Sequence, residues 1–259
     1  MGRAVSTTRL SGLQGDIAAV GGLSNPSKMP GHSWSLPATE CRIGSQLAKH
    51  AGTVCHGCYA LKGAYSWSST QTAMRRRLGI LQGALADPGK RNEFVSAFVR
   101  ILETRHARDL AARARGRRPA QDGRSFRWHD SGDLQSMAHL EILAEIASQV
   151  PQVKFWLPTR EAPTVRAYLE THGAFPANLI VRVSANRVDG RAPAGFATVS
   201  GVHTRKGSAP DGMLECRAYR TRADGSDAPD RIGTPETGHC GDCRACWDSS
   251  TPAVSYPLH

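Results

Sequence analysis

The residues of this chain best suited to chemistry are its seven cysteines, which fall into two groups. The first group is Cys41, Cys55 and Cys58, and the second is Cys216, Cys240, Cys243 and Cys246. The total is odd, two C-x-x-C steps are tight, and no apolar signal segment opens the chain, so we expect a reducing compartment rather than disulfides. Both groups are therefore predicted to bind metal through thiolates.

The two groups differ in how many thiolates they offer. Four can saturate a cluster or an ion, whereas three on a four-iron cluster leave one iron open to a further ligand. The C-x-x-C-x-x-C spacing at residues 240–246, with the remote Cys216, favours a 4Fe–4S cluster, because successive three-residue steps can reach separate corners of a cubane. Zinc is the alternative at this C-terminal site, although structural zinc usually takes two C-x-x-C knuckles from separate hairpins.

Hydrophobic patterning predicts the elements that must position these groups. A short strand at residues 34–36 precedes the first cysteine loop, and a helical pattern begins near Tyr59. Further strands are predicted at residues 126–128, 153–157, 179–183 and 196–202, each ending in a polar tip. Strand, polar tip and helix in alternation predict an α/β fold, a partial or full parallel (β/α) barrel, whose chemistry lies on the loops that follow the strands.

The chain divides into three predicted parts. Residues 1–24 are expected to be a flexible arm, residues 25–205 the barrel with its three-cysteine loop, and residues 206–259 a small C-terminal segment with four cysteines. No stretch of about 18 apolar residues is present, so no membrane span is expected, and we predict a cytoplasmic protein.

Positive charge is concentrated in one stretch of the sequence. The formal net charge is +11, and residues 100–127 contain nine arginines against three acidic residues. Such a run can be a solvated helix face or can contact phosphates. A nucleic-acid or nucleotide substrate is the partner class that this segment suggests.

Several motifs resemble known families. The motifs SLPATEC, CHGCYA, RWHDSGD, FWLPTRE, VRVSAN, CGDCRACW and VSYPLH, spread over roughly residues 25–259, resemble the uncharacterised gene product eighty-eight family of bacteriophages. The C-x-x-C-Tyr-Ala motif at residues 55–60 is similar to the end of the cluster loop of radical S-adenosylmethionine (radical SAM) enzymes such as the spore photoproduct lyases. The first resemblance would place the protein in the cytoplasm of the host cell.

The second resemblance implies an activity. It implies an open 4Fe–4S cluster at the first cysteine group, a second cluster at the C-terminal group, and S-adenosyl-L-methionine, which is reductively cleaved to generate a radical on an unknown substrate. Ser131, Gly132 and Asp133 would bind the methionyl amino group, and Ser184 and Asn186 would lie near the ribose and carboxylate. An electron donor would be a partner, and no catalytic side chain is assigned.

Two other classes of function remain open. One is a zinc-stapled nucleic-acid-binding protein, in which both cysteine groups hold zinc and the arginine segment contacts phosphates. The other is a non-radical 4Fe–4S enzyme, in which the open iron acts as a Lewis acid or sulfur carrier. His56, His129 and His239 could be additional metal ligands in any of these schemes.

Overall fold

The protein is built around one parallel β-sheet. The computed structural model describes residues 7–119, 121–204, 208–216, 218 and 239–258, with side chains from residue 12 onward. Its strands are β1 (Ser33–Trp34), β2 (Ser125–Trp128), β3 (Lys154–Thr159), β4 (Leu179–Ser184), β5 (Val199–His203), β6 (Leu214–Glu215) and β7 (Ala253–Pro257). All seven pair in parallel, in the order β1-β2-β3-β4-β5-β7-β6.

Among the residues that the structure describes, six α-helices accompany the sheet: α1 (Thr7–Ala19), α2 (Arg42–Leu47), α3 (Ser68–Ala86), α4 (Pro88–Ala114), α5 (Met137–Gln149) and α6 (Ala162–His172). Their ends follow ordinary capping rules. The Asp87 carboxylate accepts a 2.7 Å hydrogen bond from the Lys90 amide at the start of α4, and the Ser136 hydroxyl accepts one of 3.1 Å from the His139 amide at the start of α5. Gly173 ends α6 with φ 78°, a conformation that favours glycine.

The two faces of the sheet have different partners. Successive side chains of a strand point to opposite faces, so odd and even positions separate. Phe126, Trp128 and Phe155 are buried on one face, in the same hydrophobic core as side chains of α3, α4, α5 and α6. Arg127 and Trp156 occupy the alternate positions, and Trp156 packs in a second cluster with Cys246 and Trp247. Helices therefore cover one face, and the C-terminal cysteine segment lies against the other.

The predicted parallel α/β fold is confirmed, with predicted strands and helices close to the observed ones. In the part of the chain that the structure describes, β1 and β6 form the edges and do not pair with each other, so barrel closure is not seen. The helical pattern expected near Tyr59 forms two 3-10 turns, Tyr59–Leu61 and Gly63–Ser66, and α3 begins only at Ser68. No helix within the described ranges is long and apolar enough to cross a membrane.

The two ends of the chain are more integrated than the sequence suggested. The expected flexible arm, residues 1–24, contains α1; residues 1–6 lie outside the described residues. Buried Leu13 and Val20 join the core, and the indole of Trp34 donates a 2.8 Å hydrogen bond to the Val20 carbonyl. At the other end, β7 lies between β5 and β6 in the same sheet. Residues 7–19 of the expected arm thus form a helix next to the core, and the division of the chain into arm, barrel and C-terminal segment stays a prediction.

Candidate functional site

A large cavity lies on the sheet face that carries Arg127 and Trp156. Its volume is about 1000 Å³. Its lining includes residues of α3, Val54, Gly57 and Tyr59 of the first cysteine loop, and Cys216, Cys240 and Cys246 of the second group. The loop of the first group and three cysteines of the second, far apart in sequence, therefore border one space, although Cys41, Cys55 and Cys58 are not among its lining residues.

The first cysteine group gathers around the start of α2. Cys41 is the N-terminal cap residue of this helix. A methyl group placed on Gly44 would lie 3.5 Å from the Cys55 sulfur and 3.6 Å from the Cys41 sulfur, so both thiols crowd the same point. Burial raises the pKa of Cys41, nearby Asp133, Cys58 and Cys55 raise it further, and Arg160 lowers it. The three predicted ligands are thus neighbours.

The first cysteine loop is tied to the ends of the neighbouring strands. The Val54 amide donates a 3.0 Å hydrogen bond to the carbonyl of Asn186, just beyond β4. The hydroxyl of Tyr59 donates a 2.6 Å hydrogen bond to the Asp130 carbonyl, beyond β2. Glu161, beyond β3, accepts a 2.9 Å hydrogen bond from the Ile43 amide in α2. Three strand ends therefore fix the position of the thiols.

The second cysteine group forms where the C-terminal chain folds back on the sheet. Cys216 directly follows β6, and the other three cysteines lie on the loop before β7. Burial raises the pKa of Cys240 to about 11, and the neighbouring Cys216 and Cys243 raise it as well. Burial likewise raises the pKa of Cys246 to about 12, with Cys216 and Cys240 adding to it and the Tyr256 hydroxyl, 3.2 Å from its sulfur, lowering it.

None of the seven cysteines forms a disulfide, as their arrangement in the sequence predicted. Within the ranges that the structure describes, no three Cys, His, Asp or Glu side chains are arranged to hold a metal ion. The assignment of the two groups as ligand sets stays a prediction.

A buried arginine holds the second cysteine loop on the sheet. Arg182 of β4 has no exposed surface. Its guanidinium donates to a ring of backbone carbonyls, at 2.7 Å to Ala245, 2.9 Å to Asp248 and 2.8 Å to Thr251, with longer bonds to Cys246, Val199 and Pro252. Arg182 was not singled out from the sequence, although a charge inside the apolar run LIVRVS was a usable signal.

The predicted cofactor residues at the end of β2 are mostly engaged in the fold. The carboxylate of Asp133 is buried and accepts hydrogen bonds of 2.8 Å from the Leu134 amide, 2.6 Å from the Thr159 hydroxyl and 2.9 Å from the Arg160 amide. Gly132 has φ 81° and packs so tightly on Leu36 that a methyl group there would lie 2.6 Å from the Leu36 side chain. Ser131 is buried, and its hydroxyl has no partner among the described residues.

The two predicted residues after β4 have different settings. Ser184 lines the cavity, and its hydroxyl lies 2.9 Å from that of Ser200 on β5. Asn186 is exposed and contributes its backbone carbonyl to the cysteine loop. Of the five predicted cofactor residues, Ser184 alone is a cavity-lining residue.

Two arginines that the sequence analysis did not assign to the cysteine sites border the cavity. Arg160 follows β3 and is close enough to Cys41 and Cys55 to lower the pKa of both thiols. Arg127 lies on β2, with its guanidinium carbon 4.3 Å from the centre of the Trp156 ring. Each cysteine group thus has one arginine on its side of the cavity, since Arg127 lowers the pKa of Cys216 and Cys240.

Of the three candidate histidine ligands, His129 is the buried one. It is buried with φ 54°, neither of its ring nitrogens has a hydrogen-bond partner among the described residues, and its ring centre lies 5.2 Å from that of His139 on α5. The exposed His56 lies 3.1 Å from the Ala48 carbonyl, and His239 precedes Cys240. A direct role in metal binding stays a prediction for all three.

The basic segment at residues 100–127 is partly neutralised. Arg100 pairs with Asp16 at 2.6 Å, and Arg113 with Asp109 at 2.5 Å. Arg115, by contrast, is exposed beyond α4. A nucleic-acid partner for this segment stays a prediction.

Comparison with known proteins identifies the family. The family model of Gene product 88 matches residues 4–249 of the chain. This protein belongs to the Gene product 88 family. The resemblance inferred from the motifs is confirmed at that level, and the similarity to radical SAM enzymes is not shown by the match. Neither the curated proteins nor the solved structures include one that matches this chain.

Proposed function

We propose that this Gene product 88 protein is an iron–sulfur enzyme of the radical SAM type. The observation that carries the proposal is that the loop of the first cysteine group and three cysteines of the second group border one cavity beside a parallel sheet. A three-thiolate cluster with an open iron and a four-thiolate cluster would then face the same bound substrate.

The order of elements supports this proposal. The first cysteine loop follows β1, strands β1 to β5 lie side by side in chain order, and the helices cover one face of the sheet. A partial (β/α) barrel has the same plan, with helices outside and its chemistry on the loops after the strands. We therefore propose the partial-barrel form of the fold.

The residues around the first cysteine group fit an open cluster with a bound cofactor. The buried Nε of Arg160 has no partner within the described part of the chain, and Arg160 borders both the thiols and the cavity. Its guanidinium could donate to the carboxylate of S-adenosylmethionine, a pairing for which arginine geometry is suited. Ser184 offers a hydroxyl on the same cavity wall.

The cavity also suits chemistry that must exclude water. When bound, the reduced cluster and S-adenosylmethionine would supply a one-electron cleavage that produces a hydrogen-abstracting radical. The chain contributes aromatic lining: the Trp156 ring stacks on Tyr256 with centroids 6.1 Å apart, and Tyr59 and Tyr65 also line the cavity, with centroids 5.6 Å apart. The proposed roles of these side chains are to hold the substrate and exclude solvent.

The proposal is tested by metal content and by cofactor cleavage. Protein purified without oxygen should carry about eight iron and eight sulfide per chain, and with a reductant it should release 5′-deoxyadenosine from S-adenosylmethionine. Cys55→Ala should abolish this release. Cys243→Ala, the matched change in the second group, should remove about half of the iron while cleavage persists at a lower rate.

Zinc in place of iron under these conditions would contradict the proposal and favour the zinc-stapled alternative. Iron in both groups without cofactor cleavage would favour the non-radical alternative, in which the open iron acts as a Lewis acid or sulfur carrier.

A further inference from the structure

The guanidinium of Arg127, which lines the cavity, is incompletely hydrogen-bonded. The buried Nε of Arg127 has no hydrogen-bond partner among the described residues. Its terminal nitrogens reach only the Met29 sulfur at 3.9 Å, the Tyr59 hydroxyl at 3.5 Å and the His129 carbonyl at 3.4 Å. Ordinary N–H···O bonds are about 2.7–3.2 Å long, so the guanidinium keeps most of its donor capacity.

The carboxylate of Asp130, next to Arg127 in the cavity, is hydrogen-bonded to other side chains. Asp130 accepts hydrogen bonds from the Ser33 hydroxyl and, at 2.9 Å, from the Tyr65 hydroxyl. No carboxylate in the described part of the chain forms an ion pair with Arg127. Asp130 is close enough to raise the pKa of Arg127 without pairing with it directly. Holding a cation away from water without an ion-pair partner is unfavourable, so this arrangement is best explained by an anion that arrives from outside.

The rest of the cavity lining favours an organic anion. Lys28 and Arg160 also line it, and Asp130 is the acidic residue among its lining side chains. The guanidinium carbon of Arg127 lies over the Trp156 ring, 4.3 Å from its centre, and the incompletely paired nitrogens around it can donate to a carboxylate or phosphate. Aromatic walls with a few convergent polar groups are typical of small-molecule sites.

We propose that Arg127 anchors an anion-binding subsite of this cavity, which holds a carboxylate or phosphate group of a small organic substrate. Calling that ligand the substrate rests on the proposed function, whereas the binding of the anion does not. Lys28 adds positive charge from the wall that carries the second cysteine group, since its carbonyl accepts a 3.0 Å hydrogen bond from the Cys240 amide.

The subsite can be tested with inorganic phosphate and acetate as probes, by tryptophan fluorescence, because Trp156 lies directly under the guanidinium. Anaerobically purified wild-type protein should show a saturable change with at least one of the two anions. Arg127→Gln should weaken this binding at least about tenfold, the ratio that corresponds to one charge-assisted pair. Arg127→Lys, which keeps the charge but not the fork, should show a smaller loss.

Arg115→Gln is the matched control, since it removes the same charge from an exposed position beyond α4, and it should bind like the wild type. Equal binding by Arg127→Gln and the wild type, or no saturable binding of either anion by the wild type, would overturn the subsite. In particular, Arg127→Gln could alter the cluster spectrum and leave the anion titration unchanged. That result would show that the guanidinium of Arg127 donates to the thiolates of the second group instead. Arg127-dependent binding by a protein that lacks iron would retain the subsite and reject the radical SAM function.

Discussion

At the scale of single residues, Asp133 shows how a candidate ligand can instead be a structural link. Its carboxylate joins the end of β2 to Thr159 and Arg160 at the end of β3. The Glu161 amide in turn donates to the Thr159 hydroxyl at 3.0 Å, and Glu161 holds α2 beside Cys41. Burial raises the pKa of Asp133, while hydrogen bonds from Thr159, Arg160 and Leu134 lower it. Asp133 therefore supports the first cysteine group indirectly, through the hydrogen bonds that link it to Glu161 and α2.

We expect Asp133→Ala to lower the free energy of unfolding by about 3 kcal/mol or more, because it leaves buried donors unpaired, each worth roughly 1–3 kcal/mol. Urea unfolding would measure this loss. Asp87→Ala, which removes an exposed helix cap, is the control and should cost only about 1 kcal/mol. If Asp133→Ala keeps wild-type stability but loses affinity for S-adenosylmethionine in calorimetric titration, Asp133 is a cofactor ligand, as the motif resemblance implies.

At the scale of elements, β4 has two tasks. Its even-numbered residue Arg182 binds the carbonyls of the second cysteine loop, and the chain just beyond it pairs with the first loop, where Thr53 bridges Arg187. Both cysteine loops are therefore held by bonds to β4 or to the residues that directly follow it. This explains how loops nearly two hundred residues apart along the chain can border one cavity.

We expect Arg182→Lys to release the second cysteine loop, because an ammonium group has three donors and cannot reach the same ring of carbonyls as a planar guanidinium. The measurement is iron content together with thermal unfolding: about half of the iron should be lost, and the melting temperature should fall. Arg166→Lys, on an exposed position of α6, is the matched control and should change neither quantity. Full iron content in Arg182→Lys would show that the cysteines hold the loop without this arginine.

At the scale of the whole molecule, buried histidines make stability dependent on pH. Burial lowers the pKa of His139 to about 3, and burial and Arg105 lower that of His32 to about 4. In the unfolded chain both should have the ordinary histidine pKa of about 6.5. The unfolded state then binds more protons below that pH, so the stability present above pH 6.5 is lost progressively toward pH 4 and below.

We expect His139 alone to account for about 2 kcal/mol of stability lost between about pH 7.5 and pH 5, from 1.36 kcal/mol per pH unit below its unfolded pKa. Urea unfolding of wild type and His139→Gln at both pH values would measure this, since the variant should lose less stability on acidification. The exposed His172→Gln is the control and should behave like the wild type. An equal loss in wild type and His139→Gln would show that other groups determine the acid sensitivity.

The sequence by itself determined the features that depend on local order. The alternation of apolar segments, polar tips and helical patterns located β2 to β5, α5 and α6, because strand and helix formation follow the residues' own periodicity. The cysteine spacing and odd count predicted that the seven cysteines form no disulfides, and the motifs identified the family.

Only the tertiary structure decided which of these features meet. The position of β7 between β5 and β6 cannot be read from chain order, because strand pairing is set by packing of the whole sheet. The same holds for the contact of Arg127 with Trp156 and for the buried Arg182, whose partners lie on another strand or a distant loop. The sequence placed Asp133 just beyond β2 but left its partner open, since a carboxylate at a strand end can face a ligand or the next strand. The register of β2 against β3 brings it to Thr159.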